Sequence, residues 1–350
     1  MQIHGGDIYN NDVELDFSAN INPFGMPEKI YEAAICGVKE SIHYPDPNCD
    51  ELRSAISKKE HVAKEHIICG NGAAEIIFTL VHAKKAKQAL VFIPSFIEYE
   101  QALNAFGCKI KHYELRKEDC YEVTKEILLH ITKELDMMFL CNPNNPTGLT
   151  ISKELLQQII DQCKEKEVLL VLDECFQDFL EEKESDSKVS QVNENPFLFI
   201  LKAFTKMYAV AGVRLGYGMC SDRKLIKRMN EVTQPWNVSI PAQRIGIAAC
   251  VEEEFEEKTR AYIKVQREYL AKELKKLGFH VYPSKANYIF FEGPEGLYDL
   301  CLKQRILIRS CENYQGLSRK HYRVAVKLKQ DNERLIQTLR HQIKETKETC

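Results

Sequence analysis

LKAFTKMYAVAGVRLGY, residues Leu201 to Tyr217, decides how the rest of the chain is read. An apolar run ends, and Lys206 follows it. Arg214 stands eight residues further on, between Gly212 and Gly216. A lysine that enters an apolar neighbourhood must be solvated by something or give up its charge. One way to give it up is to form an imine with a carbonyl group.

The run before Lys206, PFLFIL, is strand-like, and so are ALVFIP, DMMFLC, VLLVLDE and VRLGYGMC. Between them GNGAAEIIFTLVHA reads as a glycine turn opening into a helix. ISKELLQQIIDQCKEKE has helical periodicity, with Ser152 at its N-cap. Strands alternating with helices predict an α/β fold whose sheet is mostly parallel and covered by helices on its faces. At TQPWNVSIP, Thr233 to Pro241, the character changes. A long charged helical stretch, VEEEFEEKTRAYIKVQREYLAKELKKLG, leads to the strand-like pieces FHVYP, NYIFFE, ILIRSC and HYRVAV, then to a helix from about Asp331. The expected organisation is an N-terminal arm (1–27), a large domain (28–237) and a smaller α+β domain (238–350).

Composition narrows the function. The chain of 350 residues carries 48 basic and 51 acidic side chains, a net charge of −3. That balance argues against a general nucleic-acid binder. The 13 cysteines are odd in number and form no CxxC pairs or His/Cys clusters, so neither a disulfide framework nor a metal site is expected. Reduced thiols in a cytoplasmic protein are the plain reading. The start, MQIHGGDIYN, lacks the apolar core of a signal peptide, and no apolar run reaches the length of a membrane span.

In doubly wound sheets, ligands sit beyond the carboxyl ends of the strands. Asp173 ends VLLVLDE, the loop NPNNPTG follows DMMFLC, Lys206 follows PFLFIL, and Gly70–Asn71–Gly72 precedes a helix. Pyridoxal phosphate needs such a set. Its aldehyde needs a lysine, and its pyridine nitrogen needs a carboxylate. Its phosphate needs backbone N–H groups at a helix N-terminus and a fixed cation. Lys206, Asp173, the Gly72–Ala73–Ala74 turn and Arg214 supply these in turn. Asn145 could donate to the phenolic oxygen, and Phe96, in IPSFIEYE, could stack on the ring. Singly, each residue has a plainer reading: a turn, a strand-end cap, a lysine whose stem lies on apolar surface. Their occurrence together, in this order, favours the joint one.

The order resembles the fold-type I pyridoxal-phosphate enzymes of the aspartate aminotransferase superfamily over nearly the whole chain. The resemblance rests on NPNNPTG, the strand-end Asp173 and the TK…R spacing. It implies that Lys206 is the Schiff-base lysine, backed by Thr205, and that Arg214 binds the cofactor phosphate. Arg323, in HYRVAV, would hold the substrate carboxylate. Tyr44, in HYPDP, would reach across a homodimer to the neighbour's cofactor phosphate. The arm would close over the site, with His4, Ser18, Asn20 and Asn22 as candidates for the substrate phosphate pocket.

Within the superfamily, HGGD, DFSANINPFG, DECF and IRSCENYQGL are similar to the threonine-phosphate decarboxylase branch of cobalamin synthesis. Phe176 stands where the aminotransferases usually carry a tyrosine. Ala203 stands where relatives commonly have Ser or Thr, which implies weaker cofactor binding by about 1 kcal/mol for one lost hydrogen bond. The implied reaction converts L-threonine O-3-phosphate into (R)-1-amino-2-propanol O-2-phosphate, with Lys206 returning a proton to the α-carbon. Preference for L-serine O-phosphate, transamination of histidinol phosphate, and a non-catalytic cofactor-binding module remain as alternatives.

Overall fold

The computed structural model describes residues 5–181 and 187–348; His4 and most of the charged patch EEKESDSK lie outside them. The chain begins with a two-residue strand, β1 (Leu15–Asp16), and two helices, α1 (Glu28–Glu40) and α2 (Asp50–Glu60). The central sheet follows. Its strands are β2 (Ile67–Gly70), β3 (Gln88–Ile93), β4 (Lys109–Glu114), β5 (Met137–Cys141), β6 (Leu169–Asp173), β7 (Leu198–Ala203) and β8 (Gly216–Met219). Helices α3 (Gly72–Lys84), α4 (Glu98–Ala105), α5 (Ile127–His130) and α6 (Lys153–Lys166) lie between them.

The strand order is β2-β8-β7-β6-β5-β3-β4. The sheet is mostly parallel, as the alternation predicts; β8 alone runs antiparallel to both of its neighbours. The reversal follows from the connection. Phe204 to Leu215 holds only a turn of 3-10 helix (Ala211–Val213) and no α-helix of the kind that carries a parallel crossover over a sheet. MMFLC and LLVLD are buried at every position because helices cover both faces, so they show no alternation. KIKHYE is the opposite case: β4 is an edge strand, largely exposed, and its lysines discourage further pairing. In α6 the Ser152 hydroxyl caps the helix by accepting from the Leu155 N–H (3.2 Å), and Leu155, Leu156, Ile159, Ile160 and Cys163 form its buried stripe.

Helices α7 (Arg223–Val232), α8 (Ile240–Ala249) and α9 (Glu253–Lys276) lead to a second sheet. This part contains β9 (His280–Val281), β10 (Tyr288–Glu292), α10 (Leu297–Lys303), β11 (Ile306–Leu307), β12 (Arg309–Ser310), β13 (His321–Ala325) and the terminal α11 (Lys329–Glu348). Four of these strands form an antiparallel sheet in the order β12-β13-β10-β9.

Two local features differ from the sequence reading. ILIRSC reads as one strand, but the chain changes partner at Ile308: β11 pairs in parallel with β1, and β12 pairs with β13. The arm reads as turns, yet β1 stitches it to the C-terminal part. The Phe17 N–H donates to the Leu307 carbonyl (2.7 Å), and the Ala325 N–H donates to the Phe17 carbonyl (2.8 Å). A two-residue strand carries too little pattern to be seen in advance.

Candidate active site

A cavity of about 430 Å³ opens at the carboxyl ends of the parallel strands, roofed by the arm and by β12 and β13. Its lining includes Ala73, Ala74, Phe96, Asn145, Asp173, Thr205, Lys206, Arg214 and Arg323. Segments far apart in sequence thus meet as the strand-end argument anticipates.

At one end, β2 turns at Asn71 into α3. No side chain caps this helix, so its first N–H groups are left to an anion. Gly72 has φ +80°, and a Cβ there would stand 2.6 Å from the Arg214 guanidinium. Gly216 is needed for a similar reason: a Cβ on it would lie 2.7 Å from the Ala73 nitrogen. The two glycines let β8 and Arg214 close on the helix N-terminus. Gly212 has open space around its Cβ position and meets no such demand. With Thr205 beside them, these groups fit a phosphate. Ala203, the departure from the usual Ser or Thr, is buried at the end of β7.

Asp173 lies deeper, at the end of β6, and is 4% exposed. One oxygen accepts from the Tyr99 hydroxyl (2.6 Å), the other from the Cys175 N–H (2.9 Å). Burial and the Asp173 charge hold the Tyr99 phenol well above its ordinary range, which keeps it a donor. Such a buried carboxylate, fixed by two donors and with lone pairs to spare, suits the protonated nitrogen of a pyridine ring. Phe96 stands edge-on to Tyr99, with ring centroids 5.5 Å apart. The Lys206 Nζ lies 5.3 Å from the centre of the Phe176 ring.

NPNNPTG divides its asparagines between structure and site. Asn142 Oδ1 accepts from the Ile151 N–H (3.0 Å). Asn144 accepts from the Ser95 hydroxyl (3.0 Å) and donates to the Pro94 carbonyl and to Thr147 (both 3.1 Å). Both amides are spent holding the loop. Asn145 instead lines the cavity. Its Oδ1 accepts from Arg323 and from the Tyr314 hydroxyl (3.3 Å), which leaves its N–H groups to a ligand.

Arg323 is 5% exposed. It donates to Asn145 and to the Ser18 carbonyl (2.8 Å), and its Nε is buried without a hydrogen-bond partner. Directly opposite it across the β12–β13 ladder is Arg309, also 5% exposed and also lining the cavity. Arg309 donates to Asn313 (2.8 Å) and lies 5.5 Å from the centre of the Tyr314 ring.

The arm contributes Gly5, Ser18, Ala19, Asn20 and Ile21 to the lining. Gly5 presses on the Ser18 carbonyl so closely that a Cβ would lie 2.3 Å from it. The Ser18 hydroxyl accepts from the Gly6 N–H (2.7 Å) and donates to Asp16 (2.6 Å). Asn20 Oδ1 is buried without a partner. Asn22, a candidate for the phosphate pocket, is not among the lining residues. Its amide donates to the Met207 carbonyl (2.7 Å) and to Thr259 (2.9 Å), and its N–H to the Lys206 carbonyl (3.0 Å). Asn22 is therefore a pin between the arm, the Lys206 segment and α9. Tyr44 is 78% exposed and stacks against Trp236 (centroids 4.7 Å apart), outside its own chain's cavity. His4 lies outside the described residues.

Sequence reasoning assigned no role to Glu98, Tyr99, Arg309 or Tyr314. A signal existed for Arg309: an arginine between Ile308 and Ser310 in a strand-like piece is a charge that needs an anion once buried. Glu98 lines the cavity beside Phe96. Burial, helped by Asp173, pushes its carboxyl up to about 7, against the opposing pull of its own backbone N–H, Lys206 and Arg309.

The residues present therefore fit pyridoxal phosphate: an uncapped helix end with a cation for the phosphate, a fixed carboxylate for the ring nitrogen, and a lysine in the same cavity. Known proteins agree. The chain is 38% identical to threonine-phosphate decarboxylase of Salmonella typhimurium, over 97% of this chain and 96% of that one. It is 30% identical to the adenosylcobalamin biosynthesis bifunctional protein of Leptospira interrogans, over 92% of this chain and 38% of that protein. Its fold matches the crystal structure of histidinol-phosphate aminotransferase from Clostridium acetobutylicum with a TM-score of 0.88 and 30% identity, over 95% of this chain and 99% of that one. The family model for aminotransferase class I and II matches residues 12–339, and the chain belongs to that family.

Proposed function

We propose that this chain is a pyridoxal-phosphate-dependent decarboxylase of L-threonine O-3-phosphate, forming (R)-1-amino-2-propanol O-2-phosphate for the cobalamin nucleotide loop. The observation that carries the substrate is Arg309 directly opposite Arg323, both buried and both lining the cavity. Like charges facing each other across a ladder repel. A substrate with a carboxylate and a phosphate supplies one anion to each. Arg323, held by Asn145 and Ser18, takes the carboxylate through its planar fork. Arg309 takes the phosphate, with Asn20 and Ser18 of the arm beside it. The Salmonella relative, which bears the decarboxylase name over nearly the full length of both chains, supports the same reading.

Pyridoxal phosphate, when bound, supplies an electron sink for a bond at the α-carbon. The chain supplies the rest. Asp173 would keep the ring nitrogen protonated, and Asn145 would donate to the phenolic oxygen. The Ala73 and Ala74 N–H groups, Thr205 and Arg214 would hold the cofactor phosphate, with Phe96 beside the ring. Anchoring the substrate at two points fixes rotation about its α-carbon, which selects the bond that breaks. Lys206 Nζ then gives a proton to that carbon. L-serine O-phosphate lacks one methyl, and a methyl contributes only about 1–3 kcal/mol of discrimination, so it is a slower alternative substrate.

The assembly read here is a homodimer. Tyr31, Ile35, Val38 and Ile42 expose one apolar face on and just beyond α1, with Tyr44 and Trp236 also exposed. A second copy would cover this face and bring its Tyr44 to the open side of Arg214. Arm (1–27), large domain (28–237) and small domain (238–350) remain the working division. Among the described residues every cysteine is a free thiol, which suits the cytoplasm. No helix there is long and apolar enough to cross a membrane.

The test is to incubate protein and pyridoxal phosphate with L-threonine O-3-phosphate and no keto acid. Carbon dioxide and aminopropanol phosphate in equal amounts, absent with Lys206→Ala, are expected. Consumption of histidinol phosphate that depends on 2-oxoglutarate, without carbon dioxide release, would move the chain to the aminotransferase reading.

A further inference from the structure

Replacing a carboxylate by hydrogen consumes one proton for each carbon dioxide released. Lys206 can place that proton on the α-carbon, but it must be recharged before the next turnover. The arm roofs the cavity, and the described residues that line it offer few proton donors. On the proposed reading Arg214, Arg309 and Arg323 are committed to the anions of cofactor and substrate. Both oxygens of Asp173 are engaged by Tyr99 and Cys175. The Tyr314 hydroxyl donates to Asn145. Burial drives the Cys141 and Cys175 thiols far above neutrality. Among the described residues of the lining Glu98 is the other carboxyl, at the start of α4 between Phe96 and Tyr99.

We propose that Glu98 holds the proton that recharges Lys206. The inference rests on the decarboxylase reading and deepens it. The bond from the α-carbon to the carboxylate breaks and carbon dioxide leaves. The electron pair ends in a new C–H bond, formed with a proton from the Lys206 ammonium. The neutral Lys206 amine takes a proton from the Glu98 carboxyl, directly or through cavity water. Solvent then reprotonates the Glu98 carboxylate.

The surroundings suit this duty. Lys206 and Arg309 face Glu98 as cations, Asp173 as an anion, and Tyr314 feels its charge. Burial outweighs the cations and brings the carboxyl to about 7, so it gains and loses a proton near neutrality. Glu98 acts through Lys206 and is a positioning residue for that proton.

Holoenzyme carrying Glu98→Gln or Glu98→Asp tests the proposal. Glu98→Gln should lower kcat about a hundredfold with little change in KM, and should remove the limb near neutral pH from the kcat profile. Glu98→Asp should restore part of both, and the cofactor's absorbance in each variant checks that the site is intact. A second readout needs no turnover. The infrared difference between cofactor-free wild type and Glu98→Gln should contain a protonated-carboxyl band at about pH 6 that is gone by about pH 8. A Glu98→Gln enzyme with the wild-type rate and pH profile overturns the relay alone, as does a missing carboxyl band. Wild type that releases no carbon dioxide overturns the decarboxylase reading, and the relay with it.

Discussion

The Arg214 guanidinium occupies the place a side chain on Gly72 would take, 2.6 Å from an ideal Cβ. Gly72 also has φ +80°, which any other residue adopts at a cost of about 1–2 kcal/mol. Gly72→Ala should therefore strain the turn and displace the Arg214 guanidinium together. The dissociation constant for pyridoxal phosphate, read by absorbance titration, should rise about tenfold or more.

Tyr99 donates to Asp173 at 2.6 Å and stacks on Phe139, with ring centroids 4.7 Å apart. Tyr99→Phe keeps the stack and removes only the hydrogen bond. A bond to a charged group is worth about 1.5–3 kcal/mol, so kcat should fall about tenfold to a hundredfold. The same loss should lower the melting temperature by only a few degrees, so the variant stays folded at the assay temperature and the fall in kcat is read apart from unfolding.

Arg309 and Arg323 have different duties on the proposed reading. Arg309→Ala should raise KM for L-threonine O-3-phosphate by about tenfold to a hundredfold. Arg323→Ala should lower kcat as well, because the carboxylate that leaves is no longer held in place. Initial rates against substrate concentration distinguish the two. Equal effects on KM alone would remove the assignment of separate anions.

Beneath the site, Lys202 of β7 is 1% exposed and pairs with Glu60 and Asp178 at 3.1 Å each. Glu174 is a third carboxyl near this one ammonium. It accepts from the Ser187 hydroxyl (2.7 Å) and the Lys188 N–H (2.8 Å), and burial pushes it up to about 7. Its folded pKa is therefore raised above the unfolded value. The stability it contributes is complete below the unfolded pKa of about 4.3 and is lost as pH rises towards 7. Glu174→Gln keeps the shape and cannot ionise. Denaturation midpoints of wild type should decline across this window relative to Glu174→Gln.

Tyr44 is 78% exposed in its own chain, so on the proposed reading it reaches a cofactor only in a neighbour. Mixing Lys206→Ala with Tyr44→Phe should restore activity above either variant. Random pairing leaves intact about a quarter of the sites. A verified heterodimer without recovery would remove the shared site.

The elements were legible because apolar runs such as LLVLD and amphipathic stretches such as KELLQQIIDQCKEK carry their period locally. The cavity's core set was legible for a related reason. Lys206, Asp173, Asn145 and the Gly72 turn each sit at the end of a strand or the start of a helix, and topology brings such ends together. Asn22 misled because residue type and a place in the arm said nothing about which side its amide would face; it faces Met207 and Thr259.

The sequence by itself determined the mostly parallel sheet, the lysine after its strand, and the carboxylate and glycine turn at the ends of other strands. Only the tertiary structure decided that Arg309 faces Arg323, that Tyr99 holds Asp173, and that Glu98 shares a cavity with Lys206. The physical reason is range. Period, caps and turns are local properties of a chain. Register between strands, and the side on which a buried charge finds its partner, are settled by contacts between residues far apart in it.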